Sequence, residues 1–361
     1  MNNQAFLDYV RPLLPLPLAT LWEIAAYHPQ FGYYRRGQQS PHHAAQHLPL
    51  GKNGDFITAP EISQMFGEVL AAWFIQGWQQ MGCPSPCAYI ELGGGRGTLM
   101  ADILRICQRY APTLYQALEL HLLESHEDLR LLQQQAAAGK KVTFHDDLGS
   151  LPNMPFLLMA NEFFDCLPIE QYVFDGQSWR QRTIKMQEGK LAWGVGEKVV
   201  PSFPAEAPLD LVIEKSPMSE IFAAQLANYA QHNHGYGLII DYGYISPPKI
   251  STIQAVFRHE RVDFLSTLGA ADISALVNFQ QLQHIFQQQH LGVSAITSQT
   301  ALLQRLGLPE RATQLKKHAN ITQKAEIEAA MVRLLHPLQM GGQFLALSFH
   351  HPQIPAMLGF S

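Results

Sequence analysis

The segment Tyr89-Ile-Glu-Leu-Gly-Gly-Gly-Arg-Gly-Thr98 limits the folds open to this chain more than any other. An apolar run (Ala88, Tyr89, Ile90, Leu92) leads into glycines at 93, 95 and 97, and a helical pattern opens at Thr98. Strand, glycine turn and helix in that order mark the first βα unit of a nucleotide-type α/β fold, whose ligand sits at the carboxyl end of the strand. Further apolar runs predict strands at 118–124, 141–145, 156–161, 237–241, 292–297 and 343–349. Helices are expected near 98–110, 126–138, 218–232, 299–306 and 323–337, the third capped by Ser216 with Pro217 at its first position. Strands alternating with helices imply a mostly parallel sheet.

Several stretches depart from the alternation. Residues 5–26 read as an amphipathic helix interrupted by Pro12, Pro15 and Pro17, and 36–54 as a polar loop punctuated by Pro and Gly. At 61–80, Ile62, Met65, Phe66, Val69, Leu70, Trp73 and Phe74 share one helical face, with Thr58 and Glu61 placed as a capping box ahead of them. Residues 170–200 look like a β meander turning at Asp175-Gly176 and Glu188-Gly189, and 244–290 like an insertion. The Gln clusters at 133–135 and 280–289 read as solvated helix faces. The expected organisation is an N-terminal helical segment over 1–84 that contributes to the site, then the α/β domain over 85–361 with insertions at about 170–200 and 244–290.

Composition removes several function classes. The 361 residues carry a net charge of −5 with no basic run or basic helix, so no nucleic acid is expected as a partner. The four cysteines (83, 87, 107, 166) have neither metal nor disulfide spacing, and none of the sixteen histidines forms HExxH or a zinc-finger pair, so no metal is expected. No apolar run approaches the ~20 residues that span a bilayer, which argues against membrane insertion. The start shows neither the basic nor the apolar region of a leader, so the expectation is an intracellular protein, cytoplasmic for a bacterial source and mitochondrial only for a eukaryotic one.

The glycine spacing narrows the ligand. A dinucleotide pattern would need glycine where Thr98 stands, and a Walker loop would need a lysine that is absent. What stands is Glu-x-Gly-x-Gly-x-Gly over Glu91–Gly97, which resembles motif I of S-adenosylmethionine methyltransferases. Such a cofactor has no pyrophosphate to cradle; Gly93, Gly95 and Gly97 instead let the backbone approach its methionine part. Glu91 suits a ligand carrying an ammonium and a sulfonium, or is simply a strand-end acid. Glu124 ends the second strand and can accept both ribose hydroxyls, or serve as a helix N-terminal charge. After the third strand, Asp147 and Leu148 are placed for the adenine, with Asp146 competing.

The fourth strand, Phe156–Ala160, runs straight into Asn161 and Glu162, with Asp165 three residues further. An amide carbonyl and two carboxylates at a strand's carboxyl end suit a cationic nitrogen acceptor such as a guanidinium, whose lone pair is freed when a carboxylate takes its proton. Asp165 also reads as a surface acid.

Gly32-Tyr33-Tyr34, Gly54-Asp-Phe-Ile-Thr-Ala-Pro-Glu-Ile-Ser63, Phe66-Gly67-Glu68, Glu91–Gly97, Ala160–Pro168 and Ile240-Asp-Tyr-Gly243 together resemble the MidA family of S-adenosylmethionine-dependent methyltransferases. The resemblance runs from about 5 to 305. It implies a seven-stranded class I methyltransferase sheet, Rossmann-like, with S-adenosyl-L-methionine as cofactor. For the family's mitochondrial members it also implies methylation of an arginine on a respiratory complex I core subunit in the course of assembly. It recasts Asp55 and Glu61 as active-site residues beside Asn161, Glu162 and Asp165. Expected partners are a protein substrate and, in a dimeric form, a second copy of the chain. Departures cluster at Ile250-Ser-Thr252 and at Leu276 and Asn278, which replace the family's usual residues while Asp272, Phe279 and His259 keep their places. These changes leave open an assembly factor that binds the cofactor without transferring its methyl, or a different acceptor. A nucleotide-dependent oxidoreductase is disfavoured by Thr98.

Overall fold

A computed structural model describes residues 3–35, 57–199, 203–204 and 206–360. The chain divides into two compact units: 1–56, 165–221 and 246–276 form the first, and 57–164, 222–245 and 277–361 the second. The division is interleaved, so residues 57–84, expected with the N-terminal segment, group with the α/β unit.

The second unit carries the predicted sheet. Its strands are β1 (Cys87–Leu92), β2 (Leu118–Leu123), β3 (Val142–His145), β4 (Phe156–Asn161), β5 (Gly235–Tyr244), β6 (Gly292–Val293) and β7 (Phe344–His350). They lie in the order β6-β7-β5-β4-β1-β2-β3, with two short strands, Val277–Asn278 and Thr297–Ser298, attached to β5 and β7. Strands β1 to β5 pair in parallel, whereas β7 runs antiparallel to both β5 and β6. Every residue of β1 and β4 is buried, which is why both read as largely apolar runs rather than as alternation. Connections between parallel neighbours place the candidate residues together at the carboxyl edge.

Helices α1 (Ala59–Ile62), α2 (Gln64–Gln80), α3 (Thr98–Tyr110) and α4 (Glu127–Ala136) flank the site strands. The single helix expected over 61–80 is broken at Ser63. Thr58 makes no side-chain cap; the extended Ser63 begins a new helix, its hydroxyl accepting from Met65 N. The capping-box explanation for Glu61 is therefore wrong. Helices Pro112–Ala117 and Leu308–Lys316 were not expected, although each opens with proline in its first turn, where a missing N–H costs nothing.

Phe66-Gly67-Glu68 is explained by packing. Phe66 is fully buried. A Cβ on Gly67 would lie 2.5 Å from Asp102 Cβ, so only glycine permits α2 to pass α3 this closely. The buried Glu68 carboxylate takes Arg105 Nη1 at 3.1 Å and Arg311 Nε at 2.6 Å. Glu68→Ala takes an acceptor from both guanidinium groups, leaving Arg105 its bond to Asp102, and is expected to cost about 2–4 kcal/mol in urea unfolding. A midpoint unchanged at equal slope would show that the hub contributes nothing.

The first unit contains helices Asn3–Val10 and Leu18–Tyr27 packed through Phe6, Leu21 and Trp22. The expected meander is present as antiparallel strands Glu170–Phe174, Trp179–Gln187 and Lys190–Val199. A smaller antiparallel set, Gln254–Phe257, Glu260–Val262 and Asp272–Ser274, occupies the second insertion. Arg258 and His259 both adopt positive φ in the intervening two-residue turn, the geometry that joins twisted hairpin strands. The altered segment at 250–252 has a packing role: Gln171 Nε2 donates to Ser251 Oγ, Thr252 donates through N and Oγ1 to the Glu214 carboxylate, and Leu276 N donates to Thr252 Oγ1. In the second unit Asn278 caps helix Phe279–Gln288 by accepting from Gln281 N.

Candidate active site

The glycine loop hangs between β1 and α3. Gly93, Gly95 and Gly97 all have positive φ, at 64°, 54° and 80°. Gly97 is closely packed, because a Cβ there would come within 3.1 Å of the Gln133 backbone Cα and 3.0 Å of Ala136 Cβ. Helix α4 thus packs directly on the loop. Leu123 O, at the end of β2, accepts from Gly93 N and fixes the loop's start.

Glu91 is buried in β1, where Tyr89 Oη donates to its Oε2 at 2.9 Å. Burial pushes its carboxyl up to about 8, against a smaller opposing effect of the Tyr89 hydroxyl. The sign of the pH dependence follows. Below the ordinary carboxylate range both folded and unfolded chains hold the proton and nothing is lost. As pH rises toward about 8 the unfolded chain ionises first, so the fold loses on the order of 1.4 kcal/mol per pH unit of separation. Glu91→Gln should flatten the fall in stability between pH 5 and 8, measured by denaturant midpoints; a variant that falls as steeply as the parent would exclude Glu91 as its source.

Glu124, immediately after β2, points its carboxylate inward: Oε1 accepts from His126 N at 2.9 Å and Oε2 from Gln133 Nε2 at 3.1 Å. Burial raises its pKa, and the His126 amide and Gln133 side chain oppose the rise. The Ser125 amide also acts on this carboxylate, and because its two oxygens offer about four acceptor sites, a ligand hydroxyl can still be received. The expectation that residues 133–135 form a solvated face fails at Gln133, which is fully buried. Asp147 caps a short 3-10 turn by accepting from Ser150 N, with Leu148 buried behind it, whereas Asp146 pairs with Arg130.

Beyond β4, Glu162 adopts φ +54°, an uncommon backbone state for a residue with a side chain. Its amide donates to Ile240 O, and Asp241 holds the next turn by accepting from Phe163 N and Phe164 N through Oδ2. Glu162 Oε1 accepts from Ala59 N and from Asn161 Nδ2, each at 3.0 Å. Asn161 Oδ1 is buried with no protein partner among the described residues. Turning the amide over would set its carbonyl oxygen against the carboxylate, so the orientation is fixed. Glu61 joins the loop from α1: Thr98 Oγ1 donates to its Oε1 at 3.3 Å, and Arg96 Nε lies 3.7 Å away.

Asn161, Glu162, Glu91, the three glycines and Glu124 therefore line consecutive strand ends of one unit, to which Glu61 also belongs through α1. Asp165 belongs to the other unit, its carbonyl accepting from Ala275 N. Asp55 lies outside the described residues. Sequence reasoning missed Asp241, Gln133, Thr98 and Arg96. Asp241 had a signal of the same kind as Glu124, since Leu238-Ile239-Ile240 runs into it. Among the described residues no three His, Cys, Asp or Glu side chains converge as a metal cluster, and no helix is long and apolar enough to cross a membrane.

A sheet of this order, with its last long strand reversed and a glycine loop after the first, defines a class I methyltransferase. A family profile for S-adenosyl-L-methionine-dependent methyltransferases matches residues 69–297. The chain is 30% identical to a Drosophila melanogaster protein, the mitochondrial protein arginine methyltransferase NDUFAF7 homolog, over 92% of this chain and 81% of that one. It is 28% identical to the mitochondrial protein arginine methyltransferase NDUFAF7 of Danio rerio, over 91% and 82% respectively. A Burkholderia thailandensis protein crystallised with S-adenosyl-homocysteine superimposes with a TM-score of 0.83 at 19% identity, covering 99% of this chain and 95% of that one. The chain belongs to the MidA family of S-adenosyl-L-methionine-dependent methyltransferases. Its cofactor is S-adenosyl-L-methionine, and the site is compatible with it: a loop free of Cβ atoms at its three positive-φ positions, and buried acids at two strand ends.

Proposed function

We propose that the enzyme methylates an arginine guanidinium of a partner protein, with Asn161 and Glu162 as the groups that meet the acceptor. The observation that supports this most is Glu162, held in a strained backbone state with its carboxylate aimed by Ala59 N and Asn161 Nδ2. When bound, S-adenosyl-L-methionine supplies the electrophilic methyl group. Glu162 accepts the proton that the attacking guanidinium nitrogen loses, and Asn161 Oδ1, an acceptor without a protein partner, takes an N–H of the same planar group. Gly93, Gly95 and Gly97 admit the methionine part, Glu91 faces its ammonium, Glu124 receives the ribose hydroxyls, and Asp147 with Leu148 borders the adenine. Glu61 steadies the loop through Thr98 and Arg96.

The relatives' names support arginine as acceptor, and the family resemblance makes a respiratory complex I subunit the first substrate to test. The test is methyl-labelled cofactor with that subunit and with a copy whose arginines are lysine; the mass of the purified enzyme in solution reads whether a second copy is also a partner. Label on the arginine protein alone supports the reading. Tight cofactor binding with no transfer to either protein would overturn it.

A further inference from the structure

We infer that Gln133 is a positioning residue for the cofactor, a bracket that sets the Glu124 carboxylate and the glycine loop relative to each other. The inference rests on the proposed roles of Glu124 at the ribose and of the loop at the methionine part. Gln133 sits on the face of α4 turned toward the strand ends and is fully buried. Its Nε2 donates to Gly95 O at 2.8 Å and to Glu124 Oε2 at 3.1 Å. These two acceptors lie on different strand-end segments, one after β1 and one after β2. A single primary amide joins them because it has two N–H bonds on one nitrogen.

No side chain of similar size replaces that pattern. A carboxylate would set lone pairs against a carbonyl and another carboxylate, and a thioether would leave two buried acceptors short of a donor. The reversed amide fails for the same reason, so the orientation with Oε1 unpartnered is the one that satisfies both neighbours. The rest of α4 reinforces the bracket. One turn earlier, Arg130 Nε donates to Glu124 O at 2.6 Å while its Nη2 reaches Asp146 Oδ1 at the end of β3. One turn later, Ala136 abuts the position where Gly97 would carry a Cβ. Helix α4 thereby touches the ends of β1, β2 and β3, and from the helix body Gln133 reaches the Glu124 carboxylate.

A bracket of this kind predicts loss of ribose reading rather than loss of fold. The test is calorimetric titration of the full chain with S-adenosylhomocysteine and with its 2′-deoxy analogue, in the parent, Gln133→Met, Gln133→Glu and Glu124→Ala. The readout is the ratio of the two affinities within each protein, which any inactive fraction leaves untouched. The parent should prefer the hydroxyl-bearing ligand by about 10- to 100-fold, the range for one hydrogen bond to a charged group. Glu124→Ala should abolish the preference, and both Gln133 variants should reduce it to within about 3-fold of unity, since a misaimed carboxylate no longer meets the hydroxyl. If both Gln133 variants keep the parental ratio while Glu124→Ala loses it, Gln133 is only structural and the inference falls. If Glu124→Ala itself keeps the ratio, the ribose role of Glu124 falls, and the inference with it.

Discussion

Glu162→Gln is expected to leave cofactor affinity within a few-fold of the parent and to cut methyl transfer by roughly 10²–10⁴-fold, the usual contribution of a positioned acid or base. The substitution is nearly silent structurally. The new amide can present its carbonyl oxygen to Ala59 N and Asn161 Nδ2, the two donors that now bond Glu162 Oε1, so the turn at φ +54° keeps its hydrogen bonds. What disappears is the charge and the capacity to take a proton. An arginine guanidinium remains protonated throughout the physiological range, and its nitrogen lone pair is delocalised, so attack on an electrophilic methyl needs a base at the site. Single-turnover transfer measured beside calorimetric binding separates the two effects. Turnover near that of the parent would remove Glu162 from the proton transfer and leave it as an anchor for α1.

The main sheet was legible because its strands are buried on both faces. Phe156–Asn161 and Cys87–Leu92 are buried throughout and coincide with apolar runs to within a residue, Glu91 being the one charged residue inside them. Strand-end acids were legible for the same reason: an apolar-rich strand that gives way to Glu124, or to Asn161 and Glu162, marks where the sheet meets the site. Features depending on contacts distant in sequence were not. Gln133 reads as one of three exposed glutamines, since nothing local announces that its amide meets Gly95 and Glu124. The break at Ser63 was hidden by an apolar face that continues through it, and it changes the meaning of Glu61. Freed from a capping box, that carboxylate meets Thr98 and Arg96 of the loop. Phe66-Gly67-Glu68 was one of the segments that carried the resemblance, yet its residues serve helix packing and a buried ion pair.

Gly95→Val should abolish detectable cofactor binding, a loss of at least about 100-fold, while the protein still folds. Gly95 sits at φ +54°, where a β-branched side chain is strained by about 1–3 kcal/mol. That strain is small beside the total stability of a domain, so the sheet survives. The loop relieves it by rotating the backbone, which also moves the Gly95 carbonyl away from Gln133 Nε2 and puts branched carbons where close backbone approach is needed. Gly97→Val makes the informative contrast. There the added Cβ meets the α4 backbone at Gln133 Cα, 3.1 Å away, so packing as well as the loop is disturbed, and thermal stability should fall together with binding. Calorimetry with S-adenosylhomocysteine and a thermal melt of both variants distinguish the cases. A Gly95→Val protein that binds as the parent does would mean that the glycine loop is not where the cofactor lies, and the site would then have to be sought at another strand end.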